Sequence, residues 1–379
     1  MDMTNAPNPA ILHAFYTRMG GLAVAYVLVV LILSFAQRRR RRLAVSRTGV
    51  MAADGPGFDG RPHEPPAWRR LMIHPTRYDA VQAGLGLLWL LDGLLQAQPD
   101  MSSELLSNIV VPMFSTLPSP IVRLLEPLVV FFSEYPVTFD LLLMWTQITL
   151  GLLLLFARSI RLQRFALQVS LVWGLGVWVV GEGMGAMYGT GVTWLAGSPG
   201  AALFYMAAAA LLLQGRESWR DGRVARELRW LFACLWLWGA LVQAWPANGF
   251  WNAGGIAQPL ASMAAMPQPH VLSALLYGCA RLFAAHPVLW NGILVGVMLL
   301  LAVGNVIASR HPMLLYATCA WLVFTWMFGQ DFGVLGGLGT DPNSSPAAAL
   351  LLVGMRLDSP VHQSLPVAPD GAQRDTHKE

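Results

Sequence analysis

The chain has 379 residues, of which 55% are hydrophobic and only 12% are charged, and its formal net charge is +4. An ordinary soluble domain has about 25% charged residues, so this composition excludes a soluble enzyme, a disordered protein and a nucleic-acid-binding protein. A transmembrane helix needs about 20 mostly apolar residues, and the sequence contains eight or nine runs of this kind. We therefore predict an all-α fold, a polytopic helical bundle embedded in the lipid bilayer.

The first apolar run indicates the orientation of the chain. Residues 1–36 are predicted to contain an N-terminal transmembrane helix, which ends just before the cluster Arg38–Arg42. Because the positive charge follows the apolar run, this segment is predicted to be retained and not cleaved as a signal peptide. The positive-inside rule places the arginine cluster in the cytoplasm of an inner-membrane protein, with the N-terminus outside. Residues 37–78, rich in Gly, Pro and Arg, are predicted to be a basic cytoplasmic linker.

The remaining apolar runs alternate across the bilayer. The predicted spans are 79–98, 137–157, 165–185, 199–214, 230–245, 287–308, 312–330 and 346–357. This order leaves only Arg18, Arg123 and Arg281 on the outer side. It also predicts a cytoplasmic C-terminus, with residues 358–379 as a disordered cytoplasmic tail. The spans 199–214 and 346–357 are shorter than a hydrocarbon core of about 30 Å requires.

Two parts of the sequence resemble each other. The segments Trp89–Pro99 and Trp236–Pro246 are identical at six of eleven positions at an offset of 147 residues. Three further matches have nearly the same offset. Leu117–Val122 matches Met266–Val271, and the sequence PGAAL at Pro199 matches PAAAL at Pro346. In addition, Trp173, Trp178, Gly181 and Gly185 match, in that order, Trp321, Trp326, Gly329 and Gly333. Such agreement indicates an internal duplication.

The duplication predicts two units with the same orientation. Membrane repeat 1 covers residues 79–215 and membrane repeat 2 covers residues 226–357. Because each has four spans, both enter the bilayer from the same side, which is the parallel-repeat arrangement. The outer loops 99–136 and 246–286 are predicted to form short helices in the membrane interface.

Each unit resembles the DoxX-like four-helix membrane proteins. The resemblance lies in the G-x-x-Q segment from Gly93 to Gln96, in the P-x-P elements at Pro118 and Pro120 and at Pro267 and Pro269, and in GLLLLFAR at Gly151–Arg158. It covers roughly residues 77–215 and 226–357. The family is associated with thiosulfate:quinone oxidoreductase and with membrane-bound thiol-redox complexes. Where the family often has an acid in the second helix, this chain has Gln147, and Asn291 lies early in the matching helix.

Polar side chains within the apolar runs are the candidate site residues, because charged groups in a membrane are costly and often functional. The candidates for ligand binding or proton relay are Glu182, Asp331, Gln330, Asp92, Gln96 and Gln243. In the predicted topology they lie in the outer halves of their helices, and Glu182 aligns with Gln330. We expect them to converge in an outward-facing polar cavity. Asp140, near a helix start, is expected only to cap that helix.

The sequence offers few ligands for a cofactor. Cys234, Cys279 and Cys319 form no CxxC pair and no zinc spacing. All eight histidines fall in loops, tails or the ends of apolar runs, so haem is not expected. No metal site is predicted, and quinone is the cofactor that the family resemblance implies.

Three functions remain open at this stage. The first is the membrane subunit of a quinone-linked or thiol-redox system, which the family resemblance implies. The second is a small-molecule or proton-coupled transporter, because duplicated helical units with acids at their interface fit one. The third is a non-catalytic membrane scaffold for a partner protein, which would bind to the outer loops or to the 37–78 linker.

Overall fold

The computed structural model describes residues 10, 13–28, 65–73, 76–98, 100–266, 268–308, 311–334 and 339–355. Within these ranges the secondary structure is helical and contains no strand, so the all-α prediction is confirmed for the part described. The arginine cluster, most of the predicted linker and the predicted C-terminal tail lie outside the described residues.

The first half of the structure begins with an N-terminal helix, α1, described over residues 13–28. The helices that follow it are α2 (Ala67–Ile73), α3 (Arg77–Gln96), α4 (Met101–Glu104), α5 (Val111–Phe114), α6 (Ser119–Glu134), α7 (Pro136–Phe156), α8 (Ile160–Gly176) and α9 (Ala201–Leu213). A π-helical segment, Leu105–Val110, joins α4 to α5, and another, Val177–Gly181, extends α8.

The second half has a comparable order of helices. Its helices are α10 (Arg216–Arg220), α11 (Arg223–Ala244), α12 (Ala257–Ala264), α13 (His270–Ala285), α14 (Pro287–Ile307), α15 (Pro312–Phe328) and α16 (Ser344–Met355). As expected, short helices occupy both of the predicted outer loops. They are α4 to α6 in the first loop, and α12 and α13 in the second.

Three described helical segments are long and apolar enough to cross a membrane: Pro136–Phe156, Ile160–Gly181 and Pro287–Ile307. A fourth candidate combines α3 with Met101–Phe114, two helical segments that meet at an angle of 79°. Two other predicted spans are shorter in the structure than expected. The helices α9 and α15 have 13 and 17 residues, and the described part of α16 has 12, as many as its predicted span. At a rise of about 1.5 Å per residue, a helix as short as α9 does not cross a hydrocarbon core of about 30 Å.

The two shortest of these helices form the centre of the fold. The helix α9 packs on α3, α8 and α16, while α16 also contacts α11 and α15. Small side chains such as Ala208, Ala209, Ala347 and Ala348 are fully or almost fully buried there. Because alanine lets helix backbones approach closely, these short helices are enclosed by the longer ones.

The last residues of the predicted linker are helical. Residues 67–73 form the helix α2, and α3 already begins at Arg77. The buried carboxylate of Asp79 accepts hydrogen bonds from Arg70 Nε and from Arg216 Nη2, each at 2.6 Å. A buried charge needs such partners, and these two bonds hold α2 and α10 against α3.

The span predicted at 165–185 ends at Gly181 in the structure. The next residues, Gly183 to Ala186, all have positive φ angles, which a right-handed helix does not allow. The second half has the same feature at Asp331, Phe332 and Gly333. At both places the backbone turns back towards the start of the following helix.

Hydrogen bonds and backbone angles pair two prolines of the halves differently from the sequence matches. Trp178 Nε1 donates to Pro199 O, and Trp326 Nε1 donates to Pro342 O, both at 2.8 Å. Pro199 therefore occupies the position of Pro342, not that of Pro346. Pro118 and Pro269 each precede a 16-residue helix with nearly the same backbone angles. Pro118 rather than Pro120 is thus the counterpart of Pro269.

Candidate functional site

Two acidic side chains from distant parts of the sequence line one cavity in the first half, and a third lies on an adjoining helix. Glu182 follows the π-helical segment, and Asp341 comes from the loop that precedes α16. Asp92 lies on α3, one turn before the cavity-lining residue Gln96, and is buried with 3% of its surface exposed. Tyr205 on α9 donates a hydrogen bond from its hydroxyl to Asp92 Oδ1 at 3.2 Å.

A cavity of about 330 Å³ lies beside this cluster. Its walls come from the end of α3, the π-helical segment Leu105–Val110, α6, α7 and α8. Most of the lining is apolar and includes Phe139, Leu142 and Val177. The polar side chains on the wall are Gln96, Gln147, Glu182, Thr340 and Asp341, together with the indole of Trp173.

Three buried polar atoms of this wall have no hydrogen-bond partner among the described residues. They are Gln147 Oε1, Trp173 Nε1 and Glu182 Oε2. Most buried polar atoms in proteins are hydrogen-bonded, and a buried polar atom without a partner costs about 1–3 kcal/mol. A donor and two acceptors without partners, on residues that line one cavity, are groups that a bound polar ligand could satisfy.

A second group of hydrogen bonds fixes one wall of the cavity. Gln96 Nε2 and Ser102 Oγ donate to the two carboxyl oxygens of Asp140, each at 2.6 Å. Asp140 is fully buried and makes no capping hydrogen bond at the start of α7. The expectation that Asp140 only caps its helix is therefore wrong, because its carboxyl group joins α3 and α4 to α7.

Glu182 and Gln330 play the same local role in the two halves. Glu182 Oε1 accepts a hydrogen bond from the backbone N–H of Ala202 in the first turn of α9, at 3.0 Å. Gln330 Oε1 accepts one from the N–H of Ser345 in the first turn of α16, also at 3.0 Å. Each side chain thereby satisfies an N–H group that a helix start leaves free. Glu182 differs in having a second carboxyl oxygen, Oε2, which has no hydrogen-bond partner among the described residues.

Asp331 does not take part in this cluster. Its carboxyl oxygens have no hydrogen-bond partner among the described residues, and it does not line the cavity that holds Glu182. Gln330 lies instead between the halves, where its Nε2 donates to Trp194 O at 3.2 Å. Of the six candidates, Glu182 and Gln96 line this cavity, and Asp92 lies one turn before Gln96 on α3.

Gln243 belongs to a separate, electrically neutral site in the second half. Its Nε2 donates to Asn291 Oδ1 at 2.7 Å, as Gln96 does to Asp140, and its Oε1 accepts from Thr193 Oγ1. A cavity of about 230 Å³ lies nearby, lined mainly by second-half side chains and by residues 190–196 of the first half. Each cavity is thus completed by a loop from the opposite half.

The acids of the first half have neutral counterparts in the second. The shared contacts place Asn291 where the first half has Asp140, and Gln330 where it has Glu182. By the same register, the counterparts of Asp92 and Gln147 are Gly239 and Met298. The two sites therefore share a framework and differ in charge.

The site contains residues that the sequence reasoning did not select. Asp341, Tyr205 and Gln147 were missed as members, because Asp341 had the appearance of an ordinary turn residue and Tyr205 that of an apolar helix position. Among the described residues, no group of three or more His, Cys, Asp or Glu side chains is placed to hold a metal ion. The three cysteines all lie within the described residues, form no disulfide bond there and are at least partly exposed.

Titration of Asp341 is expected to affect stability. Its partial burial raises the pKa of this carboxyl group, although the N–H of Asn343 and the hydroxyl of Thr340 donate hydrogen bonds to it. A raised pKa in the folded state means that the stabilising contribution is present at low pH and is lost as the pH rises through that pKa. We expect the melting temperature to fall as the pH rises from about 4 through the raised pKa of Asp341, and to fall less in Asp341→Asn.

The exposed residue Glu134 provides a control for this experiment. Glu134→Gln removes an acidic group outside the cluster and should leave the pH dependence of the melting temperature unchanged. An equal pH dependence in wild type and Asp341→Asn would contradict the assignment of Asp341 to a desolvated site.

No family model matches the sequence, and neither a curated protein nor a solved structure shows significant similarity to it.

Proposed function

We propose that the chain is a multi-pass inner-membrane protein whose first-half cavity binds a quinone, and that it serves as the membrane subunit of a quinone-linked redox system. The observation that carries the proposal is the set of three unpartnered polar atoms on the cavity wall, Gln147 Oε1, Trp173 Nε1 and Glu182 Oε2. The resemblance to DoxX-like proteins leads to the same class of ligand.

The cavity has the chemistry that a quinone head group needs. Trp173 Nε1–H would donate a hydrogen bond to a ring carbonyl, and Gln147 Oε1 would accept one from a reduced ring hydroxyl. The side chains of Phe139, Leu142 and Val177 would pack against the ring. Reduction of a quinone to a quinol consumes two electrons and two protons; a partner protein would supply the electrons, and Glu182 and Asp341 would exchange the protons.

The repeat architecture and the topology belong to the same proposal. The matched hydrogen bonds of Gln96 and Gln243, and of Trp178 and Trp326, support two four-helix units with the same orientation. Parallel repeats of this kind would be related by an axis along the membrane normal. With the N-terminus outside and the C-terminus in the cytoplasm, the cavity would open towards the outer face.

A cavity-filling substitution tests the binding proposal. Gly176 lines the cavity, and a Cβ atom added there would meet nothing within 4 Å. We expect the purified protein to bind a short-chain quinone saturably, with one site per chain. Gly176→Leu should abolish this binding because its side chain would fill the space intended for the ring.

Gly296 on α14 is the matched control, because a Cβ atom added there also meets nothing and the residue does not line the cavity. Gly296→Leu should bind the quinone as the wild type does. The proposal fails if quinone binding is indistinguishable from partition into empty detergent micelles, or if both leucine variants bind normally.

A second candidate is a proton-coupled transporter. The observation that favours it is the cluster of Asp92, Glu182 and Asp341, for which no described arginine forms an ion pair. Buried acids without a cationic partner hold protons readily. Proton-gradient-dependent uptake that is lost in Glu182→Gln, in a protein that binds no quinone, would favour this function.

A further inference from the structure

The cavity of the second half differs from the first in that none of the buried polar side-chain atoms on its wall lacks a hydrogen-bond partner among the described residues. Its polar side chains are Thr190, Thr193 and Asn248, and Thr190 is exposed at the rim. Thr193 Oγ1 donates to Gln243 Oε1 and accepts from Leu195 N at 3.1 Å. Asn248 Nδ2 donates to Val242 O at 2.7 Å, and its Oδ1 accepts from Gly191 N at 3.3 Å.

None of the unpartnered buried polar side-chain atoms found in the described residues belongs to this wall. The rest of the lining is apolar, with four phenylalanine rings and a methionine among its members: Phe250, Phe283, Phe324, Phe328 and Met263. A ligand that carries hydrogen-bonding groups would lose its hydration here without gaining partners, at a cost of about 1–3 kcal/mol per group. The lining of the second-half cavity therefore favours a hydrocarbon as its ligand.

The position of the cavity indicates where the hydrocarbon comes from. The helices α12 and α13 that line it belong to the outer loop of the second half, which is predicted to lie in the membrane interface. Neighbouring side chains such as Met266 and Leu282 are exposed, as expected for a surface in contact with lipid. Acyl chains of phospholipids are the hydrocarbon available at that depth.

We propose that the second-half cavity is a separate site that binds the acyl chain of a membrane phospholipid. The site uses the same framework as the first-half cavity, but the acids of that framework are replaced by Asn291, Gln330 and Gly239. Its occupancy is therefore independent of the titration of the acidic cluster and does not require the first half to bind a quinone.

Photo-crosslinking tests this proposal. The full-length protein is reconstituted in phosphatidylethanolamine and phosphatidylglycerol nanodiscs that contain a phospholipid with a diazirine on its acyl chain. Mass spectrometry then locates the labelled peptides. We expect labelling of residues 324–329 to exceed that of the exposed residues Leu299, Leu300 and Val303 on α14.

Two variants on α12 make the result specific. Met263 lines the cavity, whereas Ser262 is exposed and does not. Met263→Trp should lose the labelling of residues 324–329, and Ser262→Trp and Glu182→Gln should keep it. If Met263→Trp fails to fold, as judged by its melting temperature, Ala196→Leu fills the cavity from the opposite wall.

Other outcomes overturn the proposal. Labelling of residues 324–329 that merely equals the labelling of α14, or that persists in the filled variants, would show ordinary contact with the bilayer. Displacement of the label by a short-chain quinone would make this cavity a quinone site instead. Absence of quinone binding with the labelling intact would refute the proposed function alone.

Discussion

A protein that carries both Gln147→Met and Trp173→Phe is expected to bind the quinol form of a short-chain quinone about 100-fold more weakly than the wild type. Each substitution removes one unpartnered polar atom from the cavity wall, and each lost hydrogen bond is worth about 1.4 kcal/mol, or a factor of ten. Methionine at position 147 matches the residue that the second half has there, Met298, so the change should be tolerated. Equilibrium titration of the purified protein measures the effect.

The second half provides the control. Trp321 is the counterpart of Trp173, and its Nε1 is likewise buried without a partner among the described residues. Trp321 lines neither the first-half cavity nor the second-half cavity. Trp321→Phe should leave the quinone affinity unchanged. An equal loss of affinity in Trp173→Phe and Trp321→Phe would show that the effect comes from general loosening of the fold.

Replacement of Gly185 by alanine should destabilise the protein by at least about 3 kcal/mol. The φ angle of Gly185 is +66°, and an added Cβ atom would lie only 2.0 Å from Pro199 O. That contact is made to backbone, which cannot move aside without displacing the start of α9. Because Glu182 is bound to this helix start, the variant should also lose the shape of the cavity. Unfolding in mixed micelles of increasing SDS content measures the stability.

Gly191 separates backbone strain from steric overlap. Its φ angle is +74°, but an added Cβ atom meets nothing within 4 Å. Gly191→Ala should therefore cost only the strain of a left-handed residue, about 1–2 kcal/mol. If Gly185→Ala were no more harmful than Gly191→Ala, the close approach of residue 185 to Pro199 would not exist in the protein.

The helical segments could largely be predicted from the sequence, because hydrophobic runs alone indicate them. The prediction of a full set of membrane-crossing helices goes beyond the described residues, in which α9 is too short to cross and α16 is described over only 12 residues. Their apolar residues are buried against other helices, and composition does not distinguish a helix surrounded by lipid from a helix surrounded by protein.

The candidate site could be predicted only in part. Glu182, Asp92 and Gln96 stood out because polar residues are rare in apolar runs. Asp341 did not, since its sequence, Asp-Pro-Asn before a helix, is typical of a turn. Only the packing of the second-half loop against the first half, where Gln98 Nε2 donates to Gly339 O at 2.9 Å, explains its place in the site.

Asp331 shows the opposite failure. It is adjacent to Gln330, which aligns with Glu182, and this sequence position led to the expectation of a shared site. Its φ angle of +46° lies in the tight turn after α15, where the chain reverses direction. Because of this turn, Gln330 and Asp331 do not belong to the same site although they are adjacent in the sequence. The spacing of residues in the sequence does not reveal such a reversal of the chain.

An experimental structure of the protein with a bound short-chain quinone tests the central claim most directly. We predict density for the ring between α3, α7 and α8, with a ring oxygen within hydrogen-bonding distance of Trp173 Nε1. Density only in the second-half cavity or on the lipid-facing surface, with the first-half cavity closed or filled by protein side chains, would contradict the claim.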